Sequence, residues 1–559
     1  MATVPPSSEA RENEGKRAPG AADHNSSADE TVLLEQDVPI SQSLIWRWQR
    51  DSYARRGLKS WTEDRVPQFI TNNPFFAEIY ARIVFGFVCD CLDSAGKNSR
   101  SVSPEYPLRI LELGAGPGKF SFLFLRHLEE LLRAKAIAPS VVRYCMSDCS
   151  HGLVEAWQTK KELSAFVEQG ILQFEPIDAG QVMDSPFLPG DGSQPVKHGR
   201  GPLVVIANYV LDSLPYDGFV VEEGKLFELL QTTSAAAKKG GGSAPEALSQ
   251  LQFSYKNVET SSDRYAHRSW NEILELYRLR LSGATVLFPS QALKTFAALA
   301  RYTDGTMLVL AADKGIVNEA GLLLSRGNPA YEFHSADCFS QMVNFDAIAK
   351  CFEATGGDAF LPDKDSSTLH ICGFLQRQPD SLFPATRAAY QEAKSAIGPD
   401  DLFALLAWLN PHMEEMSVSQ ILALLRLSRW DPTTFLRLFP VLERQIRNVS
   451  AERNDVREAV LRTWANHFPL IPSDNILASY CGVILLELQF FPEACSMLKQ
   501  SQELLGRSAA TSYNLGLCSL GQGRSSEALA LMVEACDLDP AFEPARLMRQ
   551  KLQNKQSTT

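Results

Sequence analysis

The chain has 559 residues, of which 45% are apolar and 21% charged, and a formal net charge of −12. That length exceeds one ordinary domain, and the acidic balance argues against a phosphate-binding surface and so against a nucleic-acid partner. No apolar run reaches the ~18 residues of a membrane span, and the eleven cysteines lack the paired C-x-x-C spacing of a zinc site, so neither membrane nor metal is expected.

Residues 1–36 are rich in Ser, Ala, Pro, Glu and Gly, a composition that predicts a disordered tail. Glu9, Glu12, Glu14, Asp23, Asp29 and Glu30 do not suit a mitochondrial presequence, and a secretory signal would have an apolar core, so a cytoplasmic location is expected. Residues 37–106 read as an N-terminal helical lid, with Ile45, Trp46, Trp48 and Tyr53 close together and Trp61 following. Phe75, Phe76, Ile79, Tyr80, Ile83 and Val84 recur at helical spacing after Pro74, a first-turn residue behind Asn72 and Asn73.

Between 107 and 380 short apolar runs alternate with amphipathic helices. Leu108–Leu113, Val141–Met146, Ile171–Ile177, Leu203–Ala207 and Met307–Ala311, ending at Asp313, are predicted strands. Phe120–Ala136, Gly152–Val167, Ser290–Arg301 and Phe345–Ala354 are predicted helices. This alternation implies an α/β fold, a parallel sheet wound on both faces by helices. A flexible insertion near 234–246, centred on Lys238–Ser243, lies between Phe219–Leu230 and Leu251–Tyr255, predicted as two strands of a hairpin. Ala359–Leu361 and Leu369–Phe374, with a polar turn from Asp363 to Ser366, predict an antiparallel hairpin at the sheet edge.

From about 385 the pattern is helical throughout, with a helical linker domain over 385–470 and repeats over 471–555. Leu515-Gly516, Ala528, Ala535 and Pro540 fall at tetratricopeptide positions counted from Ala509, and one repeat upstream Gly482 and Ala494 take the places of Gly516 and Ala528. Small residues there let paired helices approach closely. Such repeats bind extended peptides, so a protein partner or substrate is expected for this region.

Leu111-Glu112-Leu113-Gly114-Ala115-Gly116-Pro117-Gly118 joins the first of these strands to a helix. Its glycines permit a tight turn and let a ligand lie against bare backbone. The G-x-G-x-G spacing with an acid ahead differs from the G-x-G-x-x-G of pyrophosphate sites. Asp148 ends the next strand, where a carboxylate takes ribose hydroxyls, and Asp178 follows the one after, where an acid takes an adenine amino group. An adenosine ligand with a positive sulfonium and no phosphate suits such acids, which points to S-adenosyl-L-methionine (SAM) held by Glu112, Gly114, Ala115, Gly116, Gly118, Asp148, Asp178 and Asn208. A helix cap at Asp148 and an ordinary loop aspartate at Asp178 are the structural alternatives. At the fourth strand end, Asn208, Tyr209 and Asp212 are the catalytic candidates, Asp212 as base and the other two orienting the acceptor; an N-cap role also fits Asp212.

The glycine turn, Met146-Ser147-Asp148-Cys149-Ser150, and Asn208 with Asp212-Ser213-Leu214-Pro215 together resemble the MidA-like methyltransferases, which include a mitochondrial arginine methyltransferase that assists complex I assembly. Phe69-Ile70-Thr71-Asn72-Asn73-Pro74 looks like the F-I-T-S-P entry motif of that family, and Phe339-Ser340-Gln341-Met342-Val343-Asn344 is similar to an element of tetratricopeptide-bearing SAM methyltransferases. The resemblance implies a Rossmann-like seven-stranded class I sheet followed by an all-α repeat domain, and places Thr71, Asn73 and Asn344 at the substrate mouth, with turn and cap roles as the structural alternative. Tyr209 stands where MidA-like enzymes usually carry Glu, which departs from the carboxylate set that localises a guanidinium. Two functions follow as expectations: methyl transfer to a protein side chain recruited by the repeats, or a SAM-fold scaffold without turnover. A small-molecule acceptor fits the same residues.

Overall fold

The computed structural model describes residues 31–59, 70–93, 102–181, 201–236, 247–336, 338–363 and 369–556. The expectations for residues 1–30, Trp61, Phe69, the 238–243 insertion and Ser366 lie outside them. The chain divides into two compact units, one ending at Asp401 and one beginning at Leu402.

In the first unit the strands run β1 (Thr31–Pro39), β2 (Leu108–Leu113), β3 (Val142–Asp148), β4 (Leu172–Pro176), β5 (Leu203–Asn208), β6 (Asp217–Glu222), β7 (Lys225–Ala236) and β8 (Gln252–Thr260). They continue through β9 (Thr285–Phe288), β10 (Met307–Asp313), β11 (Gly315–Ile316), β12 (Glu332–Ser335), β13 (Cys338–Ser340), β14 (Val343–Asn344), β15 (Asp358–Phe360) and β16 (His370–Gln376). The main sheet has seven strands in the order β15-β16-β10-β5-β2-β3-β4. β4, β3, β2, β5 and β10 are mutually parallel, whereas β16 runs antiparallel to both β10 and β15.

This order places the reversal of winding at β2 and β5, so the carboxyl ends of those strands open a crevice, the usual ligand position in such sheets. Their residues are buried on both faces (Ile110, Leu111, Val204 and Val205 are all inaccessible), which is why they read as unbroken apolar runs. α1 (Leu44–Arg56), α2 (Pro74–Asp93) and α3 (Lys119–Ala134) contribute to the region around that crevice. The expected helix over 152–167 is instead two, His151–Gln158 and Lys161–Glu168, separated at Thr159-Lys160.

A second, antiparallel sheet has the path β1-β7-β6-β9, with β8 also paired to β7. The span 219–230 is not one strand: Glu223 and Gly224 both take positive φ, 47° and 74°, and turn β6 into β7 as a tight hairpin. β7 then pairs with β8 along Leu226–Ser234. Residues 31–36, expected in the tail, form β1 and pair with Thr233–Ala236 of β7. Hydrogen bonds to a partner strand offset the ordering entropy that composition alone cannot.

The helix Pro384–Ser395, expected to open the linker domain, belongs to the first unit. Asp90 of α2 accepts from Ala385 N–H (3.0 Å) and Thr386 N–H (2.7 Å), capping its start. In the second unit helices Ile476–Glu487 and Phe491–Leu505 form one pair, and Ala509–Gly521 and Ser525–Leu538 another. A Cβ on Gly516 would lie 2.5 Å from Met532 Cε, and one on Gly482 would lie 2.7 Å from Leu498 Cγ. Each glycine therefore sits where two paired helices touch. Among the described residues, no helix is long and apolar enough to cross a membrane.

Candidate functional site

At the end of β2 the backbone turns through Gly114, Gly116 and Gly118, at φ 63°, 55° and 85°. These left-handed values favour glycine, and at Gly114 a Cβ would also meet Val210 Cγ2 at 2.7 Å. The turn is fixed from β3: Ala115 N–H donates to Ser147 O (2.9 Å) and Gly116 N–H to Asp148 Oδ2 (3.2 Å). Trp157 Nε1 donates to Gly116 O at 3.0 Å. Asp148 Oδ1 accepts from Ser150 N–H at 3.0 Å, so this carboxylate ties the glycine turn to the chain that leaves β3. Cys149 also donates toward this carboxylate, which lines the cavity. Burial pushes the Asp148 carboxyl up from its ordinary value.

Below the turn, Glu112 Oε2 accepts from Ser121 Oγ and, at 2.7 Å, from Tyr144 OH. Burial pushes its carboxyl up to about 7 against those two donors. Asp178, beyond β4, accepts Gly180 N–H at 2.8 Å and pairs with Arg50 of α1 at 3.4 Å. Asn208 ends β5; its Oδ1 accepts from Tyr80 OH of α2 (2.7 Å), and its buried Nδ2 has no acceptor. Tyr209 follows at φ 53°, uncommon for a bulky residue, with its N–H held by Ala312 O at 2.9 Å.

These groups surround a cavity of about 400 Å³. Glu112, Gly114, Ala115, Gly116, Asp148, Asp178, Asn208, Tyr209 and Thr71 all line it. Four expected residues do not. Gly118 sits at the start of α3, where a Cβ would meet Met146 Cε at 2.8 Å. Asn73 caps α2, accepting Phe76 N–H at 2.9 Å, and its neighbour Asn72 lines the cavity instead. Asn344 caps the helix Phe345–Ala354 by accepting Ala347 N–H at 2.9 Å.

Asp212 is the fourth. It lies on a buried 3-10 turn after β5, paired with Asp313 at the carboxyl end of β10. Asp313 Oδ2 accepts Leu211 N–H at 3.0 Å, and burial together with the facing Asp212 carboxyl raises Asp313 well above the ordinary range. Two facing buried carboxyls disfavour ionising together. Asp313 was not among the expected site residues, because its pairing with Asp212 depends on β5 and β10 being neighbours. His334 bonds Ser340 Oγ at 2.8 Å, and neither it nor His370 lines the cavity.

The helical lid expected over 37–106 includes α1, but none of the residues of α1 was among the expected site residues. Trp46, Arg47, Gln49, Arg50 and Tyr53 line the cavity, as do Ser41 and Ser43 just before the helix. Trp46, Gln49 and Tyr53 recur at the three- and four-residue spacing that sets side chains on one face of a helix. Trp46 donates Nε1–H to Ile40 O (2.8 Å) and packs against Tyr216 and Phe339, which fixes α1 over the crevice.

The volume falls in the range of small-molecule sites, about 300–1,000 Å³. Bare glycine backbone, three strand-end acids and the unpartnered Asn208 Nδ2 suit a ligand with hydroxyls, a cationic centre and acceptor atoms, and the residues present fit SAM on those grounds. Residues 95–322 match a family model described as "Putative S-adenosyl-L-methionine-dependent methyltransferase", and SAM is the cofactor that goes with that family. No curated protein matches the chain. Among solved structures, an uncharacterized superfamily protein from Burkholderia thailandensis is 15% identical, with TM-score 0.36, over 63% of this chain and 90% of that one. A second solved structure from that organism, of a "likely methyl transferase" bound to S-adenosyl-homocysteine, is 16% identical, with TM-score 0.33, over 56% and 79%. The CMeT domain of a citrinin polyketide synthase is 14% identical, with TM-score 0.23, over 49% and 47%.

Proposed function

We propose that this chain is a class I SAM-dependent methyltransferase, and that its C-terminal helix pairs are tetratricopeptide-like repeats that recruit a protein acceptor. The observation that carries the cofactor half is the glycine turn latched to Asp148 at the wall of a cavity whose strand ends supply Glu112 and Asp178. The helix pairs around Gly482 and Gly516 support the recruitment half. The relation to MidA-like enzymes rests on the motifs quoted above.

Bound SAM supplies an electrophilic methyl group on a sulfonium, a good leaving group. The chain's own contribution is binding, orientation and exclusion of water. The turn from Gly114 to Gly118 offers close backbone approach. Asp148 and Asp178 accept from hydroxyl and amino groups, and Glu112 meets positive charge. Asn208, oriented by Tyr80, presents its Nδ2 as a donor. Tyr209 borders the acceptor space as a neutral phenol, since burial raises its pKa. Asp212 does not reach the cavity wall, so no role as base is assigned to it.

Calorimetric titration with S-adenosylhomocysteine (SAH), with NAD as control, tests binding. Asp148→Ala is expected to weaken SAH at least about tenfold by freeing the turn while the fold persists by circular dichroism. Unchanged affinity would count against the latch. Labelled SAM incubated with the full chain and a cell extract then reports transfer.

A further inference from the structure

The lining residues contributed by 41–53, 71–72 and 208–215 differ in charge from those around the glycine turn. The acids on the cavity wall are Glu112, Asp148 and Asp178, all at or just beyond strand ends. Among the described residues of the remaining wall there is no Asp, Glu, His or Lys, but there are two arginines, Arg47 and Arg50, one turn apart on α1. Arg50 is balanced by Asp178 at 3.4 Å. Arg47 makes no hydrogen bond or ion pair among the described residues. Arg47 is exposed, so this surplus positive charge stands where the wall meets solvent.

A second observation points the same way. Gln49 is 2% exposed, and its Oε1 accepts Phe339 N–H at 3.3 Å. That backbone donor fixes which end of the amide is which, and leaves Nε2, buried, without an acceptor. A buried amide donor lacking a partner costs about 1–3 kcal/mol and is normally satisfied. Gln49 lines the cavity with its Nε2 turned away from the open space, so a rotation of the side chain would be needed to bring this donor to a ligand oxygen. Free cations and orphan donors attract anionic oxygen and repel a guanidinium or ammonium, which would need carboxylates instead.

Resting on the methyltransferase reading above, we propose that the methyl acceptor is a carboxylate, held by Arg47 with Gln49 as a further donor, and that the product is a methyl ester. A carboxylate oxygen forms the bond to the methyl carbon while the carbon–sulfur bond breaks, and that electron pair goes to sulfur. No proton moves. The reaction therefore needs no general base, in keeping with a wall from which Asp212 is withdrawn. An amine or guanidinium acceptor must present a free lone pair to the methyl group, and carboxylates that would attract its charged form are lacking among the described residues of this part of the wall.

The test uses the full chain with methyl-labelled SAM and a carboxylate-rich cell extract, followed by mild alkali, which hydrolyses esters to volatile methanol. Alkali-labile label is expected, reduced about tenfold or more in Arg47→Ala and partly restored in Arg47→Lys. SAH affinity is expected to be unchanged in Arg47→Ala. The other source of a carboxylate is the cofactor's own amino-acid arm. If Arg47→Ala weakens SAH but not 5′-methylthioadenosine, which lacks that arm, Arg47 serves the cofactor and the acceptor assignment falls. Alkali-stable label, or none from a chain that binds SAH, also overturns it. A wild-type chain that binds no SAH instead sinks the cofactor reading on which the proposal stands.

Discussion

Glu112 is a carboxyl whose two hydrogen-bond donors, Ser121 and Tyr144, do not outweigh its burial, so it titrates at about 7. The folded chain thus keeps a proton that the unfolded chain releases near the ordinary value of 4.5. The contribution of Glu112 to stability is therefore greatest in acid and declines as pH rises from the ordinary value through about 7. A ligand bringing positive charge beside Glu112 favours the ionised form and lowers that pKa. Binding then expels a proton at or below neutrality. SAM affinity measured by calorimetry is expected to rise about tenfold from pH 6 to pH 8 and then level off. Heats at pH 6.5 in two buffers of different ionisation enthalpy should differ by the proton released. Glu112→Gln should flatten both; a pH-dependent affinity surviving that change would assign the proton elsewhere.

The covering helix α1 is held at its start by a residue that composition placed in the tail. Glu35 of β1 accepts from Ser43 Oγ, from Leu44 N–H at 2.9 Å and from Thr233 Oγ1 at 2.6 Å, so one carboxylate ties β1, β7 and the N-terminus of α1. An anion there also complements the helix dipole. Glu35→Ala is expected to lose about 1–3 kcal/mol locally and to speed amide hydrogen exchange over 44–56 while leaving the main-sheet amides protected. SAH should bind less tightly, because Arg50 and Trp46 ride on that helix. Exchange spread equally over both sheets would mean that Glu35 supports the whole unit and not α1.

The same elements show what was legible in the sequence. β2, β5 and β10 lie inside a doubly covered sheet, and their apolar runs announce themselves locally. β1, with the sequence TVLLEQDVP, owes its strand to β7, about 200 residues away, and nothing local marks that partnership. The pairing of Asp212 with Asp313 and the seat of α1 depend on strand order in the same way. The glycine turn and the acids Asp148 and Asp178 were readable because each sits at a strand end that its own run defines.

Across the whole molecule, two units carry separate hydrophobic cores. One is built on the main sheet around residues such as Leu111, Val205 and Phe374, and the other includes Tyr513, Met532 and Ala535 in the terminal helices. The cavity residues belong entirely to the first. Gly516 separates these roles, since its missing side chain lets Ala509–Gly521 close on Ser525–Leu538 and a Cβ there would meet Met532 Cε at 2.5 Å. Gly516→Val forces that contact apart, at a cost of about 1–3 kcal/mol to the second unit, read as a lower unfolding temperature for the C-terminal helices. SAH binding stabilises only the state that holds its site, by about 2.7 kcal/mol at a hundred times its Kd. SAH should therefore raise the transition of the first unit by the same increment in Gly516→Val as in the parent chain, with unchanged affinity. If the recruitment reading holds, transfer to a protein acceptor falls in that variant while transfer to a small carboxylate acceptor is kept. A parallel loss of SAH affinity would show that the helical unit supports the cofactor site itself, and the division of labour proposed for the chain would fail.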